Sequence, residues 1–141
     1  MAYRVVHTRD AHWRPSNQTQ VLNTDLAGQL GATTFGARYW RLAPGQAITR
    51  HRHRETQELY VVLEGIGRLQ VDDELLTLEP LSAVLVEADS VRQPFNDTEA
   101  DQLWLVVGAP REAANTLEMT EADLAFLYPD GPRAMPPELG G

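Results

Sequence analysis

Two histidines, His51 and His53, are separated by one residue and followed by Glu58 in the stretch GQAITRHRHRETQELYVVLEG, Gly45 to Gly65. On a β-strand, residues i and i+2 share a face. Both imidazoles can therefore aim at one point. A turn at residues 54–56 can bring a second strand alongside, with Glu58 on it. Two neutral imidazoles and one carboxylate form a donor set suited to a divalent transition metal. The chain has no cysteine, so thiolate sites, disulfides and thiol nucleophiles are all excluded, and any metal must sit on N and O ligands.

The elements that must position these residues read as short strands. Residues 36–42 (GARYWRL) end at a Pro44-Gly45 turn, and residues 48–53 follow as a strand. LYVVL (59–63) is the most apolar run. Strands at 66–71, 74–78, 83–86, 91–95 and 103–107 follow, separated by turn residues such as Asp72-Asp73. Pro94 suits a sheet edge or end. Ahead of them, residues 3–6 (YRVV) read as a short strand, 7–20 as loop and 23–30 as a helical turn capped by Asn23 or Thr24. Behind them, residues 120–128 read as a helix capped by Thr120, with Asp123 three residues on. Pro129 to Gly141 reads as a flexible tail or as an arm that packs on a partner. Short strands at this spacing, without alternating helices, predict an all-β sandwich or barrel.

At 141 residues the chain suits one domain, and its 43% apolar content can fill one core. A net charge of −8 argues against nucleic acid and anionic membranes as partners. Arg50, Arg52 and Arg54 form the one local basic cluster, expected to alternate outward into solvent. His7 and His12 have no partner ligand nearby in sequence. With no signal-peptide pattern and no apolar run of membrane-spanning length, a cytoplasmic protein is the simplest expectation.

Gly45, His51, His53, Glu58 and Gly65 together resemble the first motif of the cupin superfamily, in residue type and in every spacing. The resemblance covers residues 35–108. It implies a double-stranded β-helix barrel of the jelly-roll type. On the residue reading above, an N-terminal strand and loop (1–34) precede the barrel, and a short helix and Pro/Gly-rich tail (109–141) follow it. The resemblance implies that His51, His53 and Glu58 point into the barrel and hold a divalent metal such as iron, manganese, nickel or zinc. It also implies a homodimer. The superfamily holds oxygenases, isomerases, decarboxylases and binding proteins, so fold alone does not select the reaction.

The second motif departs from the family. Its five positions fall on Leu81, Glu87, Asp89, Arg92 and Asn96, and only Asn96 matches. The fourth metal ligand has become Arg92, which stays protonated and cannot ligate. Three placements are open. Arg92 points inward and grips an anionic ligand, for which a guanidinium is well shaped. Or Arg92 pairs with Glu58 in a barrel that has lost its metal. Or the register is off by one or two, and Gln93 points inward instead.

Two histidines and one glutamate resemble the facial triad of non-haem iron oxygenases. The expected function is therefore a metal-dependent, oxygenase-type or isomerase reaction on a small organic anion. The alternative is a non-catalytic binding or sensing protein, with or without metal, or a barrel kept for protein interaction. Tyr60 shares a face with Glu58 and is a catalytic candidate beside Arg92. Strand parity pairs Arg38 with Trp40 and Tyr39 with Arg41 but leaves open which pair faces inward. Trp104 is expected in the core.

Overall fold

The described residues form nine strands: β1 (Trp13–Pro15), β2 (Leu22–Asp25), β3 (Gly36–Leu42), β4 (Gln57–Glu64), β5 (Gly67–Val71), β6 (Glu74–Leu78), β7 (Ala83–Val86), β8 (Arg92–Phe95) and β9 (Gln102–Ala109). Two helices, α1 (Leu26–Leu30) and α2 (Glu121–Leu127), complete the regular elements, with single 3₁₀ turns at Thr116–Glu118 and Pro137–Leu139. The structure is a computed structural model and describes residues 2–113 and 115–140.

The strands form two antiparallel sheets. The larger has the order β1-β2-β3-β9-β4-β7 and the smaller β6-β5-β8. They face each other across a core of Val21, Leu42, Ile48, Tyr60, Val62, Leu69, Val86, Trp104 and Val106. Alternation supplies it: along β4, Tyr60 and Val62 are buried while Leu59 is exposed. Each fully buried side chain of this kind contributes roughly 1.5–3 kcal/mol. This is the expected all-β double-stranded β-helix. Trp104 is fully buried, and its indole N–H donates to Gln102 Oε1 at 2.9 Å.

Several boundaries differ from expectation. Residues 3–6 form no strand, and β1 lies in a stretch read as loop. β2 takes the first residues of the expected helical turn. Asn23 does not cap that turn: its amide donates to the carbonyls of Arg14 and Val21, while Asp25 caps α1 by accepting from the Gly28 N–H. The expected strand at 48–53 is reduced to two bridges to β8, Ala47 to Phe95 and His51 to Arg92. Residues 48–50 there oppose only 93–94, which is a bulge, and Pro94 has no N–H to return to the ladder. Gly45 and Gly65, which bracket the histidine stretch, take left-handed φ of 85° and 77°, where a side chain would be strained.

The C-terminal segment folds back over the barrel. Thr120 and Asp123 form a reciprocal capping box on α2. Arg50 pairs with Asp130 at 2.7 Å, and Gln93 Nε2 donates to the Ala134 carbonyl at 2.9 Å. Arg52 and Arg54 lie over the Phe126 ring at 4.2 and 4.3 Å. The basic cluster thus clamps α2 instead of standing free in solvent. Among the described residues, no helix is long and apolar enough to cross a membrane.

Candidate metal centre

The bulge against β8 delivers His51 and His53 to the barrel interior, and β4 delivers Glu58. Glu58 Oε1 lies 3.4 Å from His51 Nε2 and 3.1 Å from His53 Nε2. Neighbouring ligands on one octahedral metal ion, each bonded at about 2.0–2.2 Å, stand about 3 Å apart. The three donors, all partly shielded from solvent, therefore have the spacing of a single ion's ligands.

The other ring nitrogens are committed elsewhere. His51 Nδ1 lies 2.8 Å from the Thr49 carbonyl oxygen, which can only accept, so Nδ1 carries the proton. His53 Nδ1 lies 2.8 Å from Glu112 Oε2 and donates to that carboxylate. In the neutral imidazoles both Nε2 atoms then present lone pairs toward Glu58, and His53 Nε2 is buried without a hydrogen-bond partner. Two lone pairs and a carboxylate facing one another repel unless a metal ion or a proton lies between them. A divalent ion fits this donor set, and the outer hydrogen bonds fix both tautomers for it. When protons serve instead, the same geometry appears as shifted titration. Burial pushes the Glu58 carboxyl up, but hydrogen bonds and charge from His51 and His53 outweigh it and hold it well below the usual range. Burial lowers the His53 value, and Glu58 and Glu112 together raise it above normal.

Tyr60 donates its hydroxyl to Glu58 Oε1 at 2.7 Å. Burial, then the Glu58 charge, raises its pKa well above the ordinary tyrosine value, so it remains protonated and acts as a donor. Arg92 points inward and is completely buried. Its guanidinium donates to the carbonyls of Val86, Glu87 and Ala88, and its Nε stands 3.7 Å from Glu58 Oε1. The contact with Glu58 belongs to the second of the three open placements, and its further premise of a lost metal is a separate question. Arg92 is fully shielded from solvent, and its side chain is directed at Glu58 and the 86–88 carbonyls. Gln93 turns away and donates to the Ile48 and Ala134 carbonyls. Asn96, the one match to the second motif, is structural: its amide donates to the Leu42 and Ala100 carbonyls.

The centre opens into a cavity of about 570 Å³. Sheet register arranges its wall. Tyr60 on β4 lies opposite Val106 on β9, which lies opposite Arg38 on β3, which lies opposite Asp25 on β2. In the parallel row, Val62, Trp104, Trp40, Asn23 and Arg14 follow one another across the sheet. Arg38 and Trp40 are therefore the inward pair. Tyr128, just past α2, covers the mouth beside His51, with ring centroids 6.4 Å apart. Neither Glu112 nor Tyr128 was legible in sequence. Glu112 sits in an irregular stretch 59 residues from the histidine it touches, with no motif to mark it.

The cupin domain family model matches residues 38–108, half of the chain, and so includes His51, His53 and Glu58. The chain is a cupin. Among solved structures it resembles a cupin-superfamily sugar phosphate isomerase from Silicibacter pomeroyi, at 24% identity and a TM-score of 0.70, covering 77% of this chain and 76% of that one. It also resembles a predicted oxalate decarboxylase from Thermotoga maritima, at 18% identity and a TM-score of 0.68, covering 77% and 100%. A third is KdgF from a Halomonas species, at 16% identity and a TM-score of 0.67, covering 77% and 94%. These likenesses speak to the cupin fold. No curated protein matches the chain.

Proposed function

We propose that this cupin holds one divalent transition metal on His51, His53 and Glu58 and acts on a small organic anion in the cavity beside it. The observation that carries the reading is the unpartnered His53 Nε2, aimed at Glu58 while its Nδ1 is held by Glu112. A metal bound there would supply Lewis acidity toward a ligand oxygen, or a centre for oxygen chemistry. The chain's own groups do the rest. Tyr60, kept protonated, orients the Glu58 carboxylate and offers a hydroxyl at the cavity wall. Arg92 is a positioning residue that holds Glu58 from behind. The α2 segment and Tyr128 limit water at the mouth. Both the oxygenase and isomerase classes are compatible with this set, as is a cytoplasmic homodimer, for which the exposed Leu59–Leu85 pair offers an apolar patch.

A second reading has its own support. Tyr60 and Arg92 already give Glu58 a donor and a cation without any metal, as suits a binding cupin that works metal-free. Metal analysis of protein purified without added metal separates the two. The first reading expects stoichiometric transition metal, lost in His51→Ala and Glu58→Ala. Protein that holds no metal and takes up none on titration would sink it and favour the second.

A further inference from the structure

The cavity has a second polar end, on the strands before the histidine stretch. Arg14 on β1, Arg38 on β3 and Arg111 after β9 all line it. Asp25 is the carboxylate among them, 3.5 Å from Arg38 Nη2 and 4.0 Å from Arg111 Nη2. Three guanidinium cations against one carboxylate leave two positive charges at this end, in a chain whose net charge is −8. Asp25 is also engaged as the cap of α1, accepting from the Gly28 N–H at 2.9 Å. Each guanidinium has five N–H donors. Arg38 gives one to Asn23 Oδ1 at 2.9 Å, and Arg111 gives one to the Ala32 carbonyl at 2.9 Å. Each guanidinium thus keeps further N–H donors. Burial is the first cause lowering the Arg38 pKa, and the Arg14 and Arg111 charges press the same way against Asp25. Positive potential of this kind is what an incoming anion relieves.

The position of this end relative to the histidines sets the ligand's shape. Arg38 and Tyr60 lie in one cross-strand row with β9 between them. Two strand spacings of about 4.8 Å put their Cα atoms about 10 Å apart. Both side chains rise from the same face.

We propose that Arg14, Arg38 and Arg111 form a dianion subsite, which takes the phosphate group of a small phosphorylated substrate whose oxygen-bearing end lies at His51, His53 and Glu58. This deepens the reading above, and rests on it for the far end of the ligand. Phosphate is preferred to carboxylate because a dianion matches the two uncompensated charges, and because several guanidinium forks suit its oxygens.

The test uses chelator-treated protein, so that the arginine end is read independently of the metal. Inorganic phosphate is titrated calorimetrically into the full chain. Saturable binding is expected, at least tenfold tighter than acetate. Arg38→Gln should weaken phosphate binding at least tenfold, and Arg14→Gln and Arg111→Gln severalfold each. Because Arg38 packs between Asn23 and Asp25, the two more exposed variants keep the test valid if Arg38→Gln fails to fold. Absence of saturable binding, equal affinity in the folded variants, or acetate binding as tightly as phosphate overturns the proposal. A parallel metal titration of the same variants should be unchanged. An unaltered chain that binds phosphate but takes up no metal would count against the metal reading alone.

Discussion

Leu81 stands where the family's second motif has glycine, and its backbone keeps a conformation suited to glycine, with φ of 72°. A side chain in this left-handed region costs about 1–2 kcal/mol. The Leu81 side chain is 78% exposed, so it returns little packing energy. Leu81→Gly should therefore stabilise the fold, by about 1 kcal/mol after the added freedom of glycine in the unfolded chain is subtracted. Urea unfolding measures this, and a lower midpoint for the variant would show that the exposed leucine contributes more than its position suggests. Glu112 makes a different residue-scale case. It accepts from His53 and from the backbone N–H groups of Arg54 and Glu55, so one carboxylate fixes both the ring and the turn that carries it. Outer partners of metal-binding histidines are worth roughly 10- to 100-fold in metal affinity. Glu112→Ala should lose that much in a zinc titration while far-ultraviolet circular dichroism stays unchanged. Unaltered affinity would reduce Glu112 to a loop anchor.

At the scale of elements, the parts readable in sequence were those set by local chemistry. The strands at 36–42, 74–78 and 83–86 appear with the expected bounds, because alternation and turn residues are local. The capping box on α2 was legible for the same reason. What stayed hidden depends on distant chain. The strand expected at 48–53 broke because Pro94, more than forty residues away, cannot complete its ladder. The placement of Arg38, Arg111 and Glu112 comes from cross-sheet register and loop packing, which leave no motif. The packing of α2 on Arg52 and Arg54 was equally invisible, although it decides what covers the mouth. Asp123 ties this element to pH. Hydrogen bonds from the Thr120 backbone and side chain, then Arg54, hold its pKa below the ordinary 3.8. A depressed carboxylate stabilises the fold fully above its unfolded value, and that contribution disappears as pH falls through the folded one. Amide protection factors in α2 should therefore drop as pH falls below 3.8, while Asp123→Asn shows weakened α2 protection already at neutral pH. Equal α2 protection in both proteins at neutral pH would mean that the Phe126 clamp, not the capping box, holds the helix.

For the whole molecule, the centre and the fold are energetically linked. With no metal ion and both rings neutral, the folded state must hold two imidazole lone pairs within 3.1–3.4 Å of a carboxylate oxygen that only Tyr60 and the buried Arg92 offset. The unfolded chain has no such constraint. A metal ion that binds only the assembled triad stabilises the fold by about 2.7 kcal/mol when its free concentration is 100 times Kd. For a chain of this size each kcal/mol moves the thermal midpoint by roughly 3–5 °C, so the rise is readily measured. Thermal unfolding with increasing manganese or zinc should show the midpoint climbing with metal concentration, and a chelator should reverse it. His51→Ala should unfold at about the midpoint of the metal-free protein and stay insensitive to metal, because removing one ring also removes one of the opposed lone pairs. A midpoint in the unaltered chain that ignores every divalent transition metal would mean that Tyr60 and Arg92 satisfy Glu58 by themselves, and that this barrel works as a metal-free binding protein.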